Sequence, residues 1–363
     1  MPRARDVAFI RKLCGMPLPQ QTLAQCRRPE LRRLVPSHSA GVFWVDALGE
    51  MTSLYAERML PPEAMAAYYL KHYSADADSF ADVFRRRAAE PDPISFHSFS
   101  KAEQSSGYFR DVMAALDAYH VLYGVVRTGN QPIAQVSFYR GRGDKPFGKI
   151  EADALRSVIR YLGVGLASTA PSLEGDDSAV ITDEELGIVS RTGTLVNAPE
   201  GWYRLMRLAA LAEVSPRNAA RERSTIEGFV ESVHTKLAAA HGAENKRELI
   251  HETAWGRFAI RTFSLPDPKG RRAEQIALLI RREEPRSLSL VRGAGMAALS
   301  SQQREVALLL AAGKSNREIG EELGLTFNTA SYHVKQVYAR LEVNERAAVA
   351  QKLLGFAQEV AAY

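Results

Sequence analysis

Apolar residues recur at helical spacing near the carboxyl end of the chain and predict four short helices within residues 299–354. Two serines are placed to begin the first two of these helices. Ser300 is followed by Gln303, and Ser315 by Glu318, at the spacing of a capping box, in which the paired side chains satisfy free backbone N–H groups. The pattern therefore predicts a small all-α region whose helices start at defined residues.

The third of these helices has one apolar face and one polar face. Thr326 is its predicted N-cap, and its apolar residues follow at helical spacing: Ala330, Val334, Val337 and Leu341. The other face is rich in hydrogen-bonding side chains, and no acidic residue lies between Thr326 and Leu341. Since a helix fits the major groove of double-stranded DNA, where base edges differ in donors and acceptors, this face is a candidate reader of DNA sequence.

The candidate contacts to double-stranded DNA lie on this face and on the helix before it. They combine cations, which contact phosphates, with amides and hydroxyls, which contact base edges. These residues are Lys314, Asn316, Arg317, Thr326, Asn328, Thr329, Ser331, Tyr332, Lys335, Gln336 and Arg340.

The segment resembles the C-terminal DNA-binding domain of LuxR/FixJ-type bacterial transcription regulators, and the resemblance covers about a sixth of the chain. It departs from the family pattern at Gln303, Gly320, Ala330 and Arg340, and Ala330 leaves a smaller side chain beneath the third helix. The matching residues are Leu299, Ser300, Glu305, Val306, Gly313, Ser315, Asn316, Glu318, Ile319, Leu323, Thr329, His333, Val334, Leu341 and Arg346.

The resemblance implies a sequence-specific transcription regulator that binds two half-sites as a homodimer. RNA polymerase is a further candidate partner. The last predicted helix, residues 345–354, is expected to form the dimer contact within this domain through Ala348, Leu353 and Leu354.

Upstream, helical and strand patterns follow one another in an order typical of an α+β domain over residues 1–170. An antiparallel sheet with helices on it resembles a GAF-like sensory domain. A Gly129-Asn130 turn is predicted to join the last two strands. The predicted strands are 41–46, 51–54, 120–127 and 133–140, and the predicted helices are 4–14, 19–34, 61–73, 78–89, 102–118 and 147–168.

The polar residues 169–178 are a predicted linker, and a second α+β domain is expected over residues 179–284. A strand pair, helices and a second strand pair resemble a PAS-like domain, with a second GAF-like domain as the alternative. Residues 285–298 are the predicted linker to an all-α helix-turn-helix domain at 299–363. The predicted strands are 185–190, 194–197, 256–264 and 275–282, and the predicted helices are 202–213 and 225–240.

The formal net charge of +5 does not come from the candidate DNA-binding domain. Residues 299–363 contain seven Lys or Arg and seven Asp or Glu, so phosphate contacts depend on where the cations lie. The surplus lies in residues 1–36, which have eight basic and two acidic residues. We interpret that stretch as solvated helical faces rather than as a second DNA contact.

Three features bear on location. No run of 18 or more apolar residues occurs, so no transmembrane helix and no membrane partner are expected. The apolar stretch near the N-terminus is broken by Arg11 and Lys12, which is unlike a secretory signal. The two cysteines, Cys14 and Cys26, fit a reducing compartment, with a redox switch between them as the less favoured alternative. The expected location is the cytoplasm.

No reactive set can be assembled from the sequence, so no catalytic site, metal site or cofactor is predicted. Neither a P-loop nor the strand–helix alternation of a phosphorylatable receiver domain occurs. Haem ligation by His234, His241 or His251 is conceivable in a PAS-like fold, but core or surface roles are favoured. A ligand-modifying enzyme with a DNA-binding tail is an alternative that would need such a reactive set.

Aromatic residues are dense in the first domain, and ligand pockets are typically apolar and aromatic with few polar groups. The first domain is therefore the candidate site for a small apolar or aromatic ligand that controls DNA binding. The alternative is a constitutive DNA binder whose upstream domains serve only for dimerisation. The candidate ligand contacts are Trp44, Tyr55, Tyr69, Tyr73, Phe96, Tyr108, Tyr123 and Phe138.

Overall fold

The computed structural model contains two five-stranded antiparallel sheets with helices, followed by a helical C-terminal part. The predicted order of two α+β regions and an all-α region is confirmed at this level, whereas the GAF-like and PAS-like names and the domain boundaries stay predictions. The predicted segments 19–34, 61–73 and 169–178 lie wholly or largely outside the described residues. These are residues 4–16, 19–21, 24, 31–32, 34–57, 65, 71–72, 80–168, 179–211, 214–215, 219–239, 248–265 and 275–361.

The first sheet has the strand order β2-β1-β5-β4-β3, with every neighbouring pair antiparallel. The β4–β5 hairpin turns at Gly129, whose φ of +57° lies in the left-handed region that suits glycine, so the predicted turn is confirmed. The strands are β1 (Ser39–Val45), β2 (Met51–Ala56), β3 (Ile94–Ser98), β4 (His120–Thr128) and β5 (Gln131–Arg140).

One face of this sheet is covered by two helices at close range. At Gly124, on β4, a Cβ would lie 2.9 Å from side-chain atoms of both Leu155 and Ile159, so the glycine leaves room for them. The helices of this region are α1 (Ala4–Cys14), α2 (Phe80–Ala89), α3 (Lys101–Gln104), α4 (Lys149–Arg156) and α5 (Ile159–Leu166).

The single helix predicted over residues 147–168 is wrong, because the chain forms α4 and α5 there. Helical geometry is interrupted at Val158, where φ is −119° and the side chain is buried. A Cβ at Gly163 would lie 2.3 Å from the Arg127 carbonyl oxygen, so α5 runs against the backbone at the end of β4. The break therefore lets α4 follow β3 and β4 while α5 packs on β4, β5 and α1.

The helix predicted over residues 102–118 is also wrong. Helix α3 ends at Gln104, a π-helical turn forms at Phe109–Met113, and Asp117 adopts a φ of +52°. Strand β3, which the sequence pattern does not predict, begins immediately after Pro93 and, among the described residues, is an edge strand paired with β4 alone. A proline beside a short run favours a loop when no partner strand is known, which is why the strand is not evident from the sequence.

The second sheet has the strand order β7-β6-β10-β9-β8, and two helices lie on it. Trp202 is buried, and its Nε1 donates to the Leu278 carbonyl at 3.1 Å. The predicted elements are confirmed with shifted ends. Strand β8 is an additional strand, which the sequence pattern does not predict because its apolar residues do not alternate with polar ones. The elements are β6 (Ala179–Ser190), β7 (Leu195–Asn197), β8 (Glu248–Thr253), β9 (Gly256–Ser264), β10 (Gln275–Pro285), α6 (Glu200–Ala210) and α7 (Ala219–Ala239).

The two sheets contact each other through buried aromatic residues. Between ring centroids, Trp255 in the β8–β9 turn lies 6.2 Å from Trp44 and 6.0 Å from Tyr55. The Leu54 amide donates to the Val214 carbonyl at 2.7 Å beside them. The first sheet is therefore tied to the second by both rings and backbone.

The four helices predicted in the C-terminal part are confirmed. The predicted linker 285–298 contains one more helix, α8, and its Leu290 and Ala294 are buried in the same core as Leu353. Leu353 is thus covered by the chain itself, and the dimer contact predicted through its side chain is wrong. The helices are α8 (Arg286–Met296), α9 (Ser301–Ala311), α10 (Asn316–Leu323), α11 (Phe327–Leu341) and α12 (Arg346–Ala361).

Helix α1 packs between the first sheet region and the C-terminal helices. Its Phe9 and Leu13 are buried together with Leu288 of α8, and the same helix contacts α5. On its exposed side, Lys12 Nζ lies 2.5 Å from Glu305 Oε2 on α9. We call these five residues the α1 junction. Through it, the N-terminal helix touches both the first region and the C-terminal domain.

Candidate nucleic-acid interface and ligand site

Helix α11 presents the polar face that the sequence predicts. Thr326 is its N-cap, and its hydroxyl accepts a hydrogen bond from the Thr329 amide at 3.2 Å. Because all the predicted apolar residues face the core, the opposite face of the helix is presented to solvent. The buried residues of α11 are Ala330, Val334, Val337 and Leu341.

Small residues bring α10 and α11 close together. Gly324 ends α10 in the left-handed conformation, with a φ of +64°. At Gly320 a Cβ would lie 2.9 Å from the Leu325 carbonyl oxygen and 3.8 Å from the Cβ of Ala330. Two departures from the family pattern, Gly320 and Ala330, therefore face each other across this contact.

Both predicted capping boxes form, the first with Ser300 and Gln303. In the second, the Ser315 amide donates to Glu318 Oε2 at 2.8 Å, and the Ser315 hydroxyl accepts from the Glu318 amide at 3.3 Å. The hydrogen bonds from Ser315 lower the pKa of Glu318 below its ordinary value, and nearby Lys314 adds to the effect. The start of α10 therefore carries an ionised carboxylate, which suits a helix N-terminus.

The predicted DNA contacts along the open face of α11 differ in exposure. Asn328 is exposed, Tyr332 is 60% exposed and Gln336 is half-buried. Phe327, at the first turn of the helix, is 59% exposed. An apolar residue in a helix is usually taken as core, so Phe327 could be recognised as part of this face only from the structure.

The cations around this face differ in their partners. Lys314 and Arg317 are each held by a glutamate of α10, at 2.9 Å and 3.2 Å respectively. Lys335 and Arg340 are exposed and form no ion pair within the part of the chain that the structure describes. The two cations of α11 are therefore the freer pair for contact with phosphate.

Four of the predicted DNA contacts also form hydrogen bonds between or within the helices of this domain. Asn316 Nδ2 donates to Ser331 Oγ at 3.1 Å, and a guanidinium nitrogen of Arg346 donates to Asn316 Oδ1 at 3.0 Å. The hydroxyls of Thr326 and Thr329 lie 2.8 Å apart at the start of α11. Arg346 matches the family pattern, and the structure gives it the role of a positioning residue that links α12 to α10.

The segment containing these helices matches a known family. Residues 297–353 fit the model described as bacterial regulatory proteins, luxR family. They form a LuxR-type helix-turn-helix domain.

The curated relatives match over this domain. Over 56 residues the chain is 45% identical to "Putative HTH-type transcriptional regulator YhjB" of Escherichia coli strain K12, covering 15% of this chain and 28% of that one. Over 49 residues it is 39% identical to the transcriptional regulatory protein LiaR of Bacillus subtilis strain 168, covering 14% of this chain and 23% of that one. The chain thus spans about a quarter of the length of these relatives.

Similarity among solved structures is weak. The GAF3 domain of Slr1393 from Synechocystis sp. PCC6803, in its photoproduct state, is similar over 40% of this chain and 92% of that chain, with 14% identity and a TM-score of 0.30. A likeness at this level assigns neither sheet region to a family.

The structure separates the aromatic ligand candidates of the first domain. Trp44 and Tyr55 lie in the contact between the two sheets, and Phe138 is buried on the face covered by α4 and α5. Phe96 is an exposed residue of the edge strand β3. Two further candidates lie outside the described residues: Tyr69 and Tyr73.

Tyr108 and Tyr123 come together on the face of the first sheet away from α4 and α5. Arg87 of α2 reaches this face, with its Cζ 3.7 Å from the Tyr123 ring centroid and its NH1 donating to Gln135 Oε1 at 3.0 Å. Gln135 Nε2 donates in turn to Ser137 Oγ at 3.1 Å. Ser137 pairs with Tyr123 across β4 and β5, so these residues share one face.

Tyr139 completes this group, which we call the Tyr–Arg cluster: Arg87, Tyr108, Tyr123, Gln135, Ser137 and Tyr139. Burial raises the pKa of the Tyr108, Tyr123 and Tyr139 hydroxyls. Tyr108 as a residue is 40% exposed, so this side chain lies at the solvent edge of the cluster. The sequence analysis names Tyr108 and Tyr123 as ligand candidates. It does not name Gln135 and Ser137, because polar residues that alternate along a strand usually face solvent.

Among the described residues, no group of three His, Cys, Asp or Glu side chains is arranged to hold a metal ion. His251 Nε2 is hydrogen-bonded to the Ala209 carbonyl at 3.0 Å and its ring lies 5.0 Å from that of Phe229, which is a packing role. None of the helices in the described ranges is long and apolar enough to cross a membrane.

Proposed function

We propose that this protein is a bacterial, sequence-specific DNA-binding transcription regulator that acts as a cytoplasmic homodimer and not as an enzyme. The observation that carries the proposal is the open face of α11, where Lys335 and Arg340 are exposed and no acidic residue interrupts the helix. Such a face can enter the major groove, with amides and hydroxyls toward base edges and cations toward phosphates.

The geometry around α11 supports this use. The Thr326 cap and the Asn316–Ser331 hydrogen bond fix the helix relative to α10, so its outward side chains keep a constant register. A dimer would present two such helices to two half-sites, because one helix reads only a few base pairs. With Leu353 covered by α8, the more outward residues Ala348 and Leu354 are the candidates for contact with a second copy.

We also propose that a small molecule bound in the first domain controls DNA binding. The α1 junction supports this, because α1 touches α5 on one side and α8 and α9 on the other. A ligand that favours one packing of the first domain can then shift the position of the DNA-binding domain by its differential affinity. In the constitutive alternative, the same junction would only hold the regions together.

The test is selection of duplexes from a random pool by the purified full-length protein, followed by fluorescence-anisotropy titration. We expect enrichment of a sequence with two half-sites and an affinity that falls steeply with salt, because cations displace counterions from DNA. The Lys335→Ala/Arg340→Ala double variant should bind that sequence at least about tenfold more weakly. If no sequence is enriched, or the double variant binds as the parent does, the proposal fails.

A further inference from the structure

The Tyr–Arg cluster contains polar side chains that are buried on a sheet face. Gln135 is 3% exposed and Ser137 is fully buried, at 0%. A sheet face that serves only to pack against helices usually carries apolar residues at such positions. Folding alone therefore does not account for the choice of these side chains.

The charge of Arg87 is the second observation. Its guanidinium contacts the Tyr123 ring and the Gln135 amide, both neutral, and no carboxylate among the described residues pairs with it. On the same helix, Arg85 pairs with Asp82. Neutral partners offset only part of the cost of bringing a permanent charge to a partly buried position, which favours an additional anionic partner.

The tyrosines supply hydrogen-bond donors around this cation. Because burial raises the pKa of Tyr108, Tyr123 and Tyr139, their hydroxyls keep their protons at physiological pH. A cation surrounded by neutral O–H donors, with no competing carboxylate among the described residues, is a set that matches an anion.

An aromatic wall lies beside the polar groups. Phe43 pairs with Gln135 across β1 and β5 and so shares its face. The Phe43 ring lies 6.2 Å from that of Phe80, which stacks on Phe84 at 6.1 Å. Phe84 is one helical turn before Arg87 on α2, so the apolar and charged surfaces adjoin.

We propose that the Tyr–Arg cluster binds a small carboxylic acid with an aromatic or aliphatic body. The carboxylate would lie on Arg87 and the Tyr123 hydroxyl, since a planar guanidinium matches a planar carboxylate. The body would lie along Phe43 and Phe80. This inference rests on the ligand-control part of the proposed function and gives that ligand its chemical class.

The experiment is isothermal titration of the full-length protein with benzoate, phenylacetate and hexanoate, each paired with its neutral amide. At least one acid should bind, and its amide should bind at least about tenfold more weakly, because the charge-assisted hydrogen bonds are lost. The Arg87→Met variant should bind that acid at least about tenfold more weakly than the parent. The Arg85→Met variant, changed on the same helix, should bind it with the affinity of the parent. Failure of all three acids, or an unchanged affinity in Arg87→Met, overturns the inference.

A second variant tests the site if Arg87→Met does not fold. Circular dichroism establishes whether Arg87→Met is folded, and if it is not, Tyr123→Phe decides the matter. That change keeps the ring beneath Arg87 and removes one hydroxyl, so the acid should bind more weakly while its amide changes less. Equal affinity for the acid in Tyr123→Phe and the parent overturns the inference.

The two proposals fail in different ways. DNA binding is measured with no acid present, so a protein that selects DNA and binds none of the acids overturns the carboxylate site alone. A protein that binds an acid through Arg87 and selects no DNA overturns the regulator and leaves the site standing.

Discussion

Gly293 of α8 lies directly against the backbone of Leu353 in α12. A Cβ at position 293 would be 1.8 Å from the Leu353 carbonyl oxygen and 3.1 Å from its Cα. The two helices approach this closely because residue 293 has no side chain. Helix α8 therefore packs against the DNA-binding domain and is not a loose linker before it.

Gly293→Ala should destabilise the C-terminal domain, because the added methyl forces α8 and α12 apart; overpacking of this kind typically costs about 1–3 kcal/mol. Gly228→Ala on α7 is the matched control, since no described residue outside its own helical backbone lies within 4 Å of the Cβ it would add. That change removes a glycine from a helix interior and should stabilise by about 0.5–1 kcal/mol. Calorimetric transitions that respond alike to both changes would contradict the α8–α12 contact.

Leu13→Ala should loosen the α1 junction. Leu13 is buried against Leu288, and truncating a buried leucine costs about 2–5 kcal/mol. Amide hydrogen exchange should rise in α8 and α9 as well as in α1, because these helices pack on one another. Leu48→Ala, at a residue that is 68% exposed, is the control and should change little. A rise confined to α1 would mean that the junction does not couple the regions.

Lys335→Ala should weaken binding to the selected operator by about 1–3 kcal/mol while the fold stays intact. Lys335 is exposed on α11 and has no ion-pair partner among the described residues. Arg317→Ala should cost less, because Arg317 is already engaged with Glu321 on α10. Gel-shift titrations compare the two, and a larger loss from Arg317→Ala would move the principal contact from α11 to α10.

Acid should selectively weaken the start of α10. The folded pKa of Glu318 lies below the unfolded value of about 4.3, because Ser315 donates hydrogen bonds to the carboxylate. Ionised Glu318 therefore contributes stability that is present above the unfolded pKa and is lost as the pH falls through the lowered folded pKa. The melting temperature of the C-terminal domain should therefore fall more between about pH 5 and about pH 3 in the parent than in Glu318→Gln.

Gln303 provides an internal reference for that pH experiment. It occupies the equivalent place in the first capping box, where its amide oxygen accepts from the Ser300 amide at 2.9 Å without titrating. Glu318→Gln should therefore keep the box closed at neutral pH. The same pH dependence in the parent and the variant would assign the acid sensitivity to other carboxylates.

The C-terminal helices could be predicted because their signals are local. Ser315, Thr326 and Gly324 fix the ends of helices within a few residues of the chain, and the spacing of Ala330 and Val334 fixes the buried face. The need for glycine at position 320 could not be predicted. It follows from the close approach of the Leu325 carbonyl, which is set by the turn between α10 and α11.

The upstream errors have distant causes. The break between α4 and α5 accompanies the close approach of Gly163 to the Arg127 carbonyl, and no periodicity within residues 147–168 contains that contact. Tyr108 and Tyr123 could be proposed from their aromatic character. Their neighbour Arg87 could not, because it meets Gln135 only after α2 has packed on the sheet.

The aromatic contact between the two sheets has a spectroscopic consequence. All three tryptophans, Trp44, Trp202 and Trp255, precede residue 299 and are buried, and two of them meet edge to face across that contact. Tryptophan emission from the native protein therefore reports on the two sheets and the contact between them, because α11 contains no tryptophan. If DNA alone changes the tryptophan emission, DNA binding must alter the sheets or the contact between them.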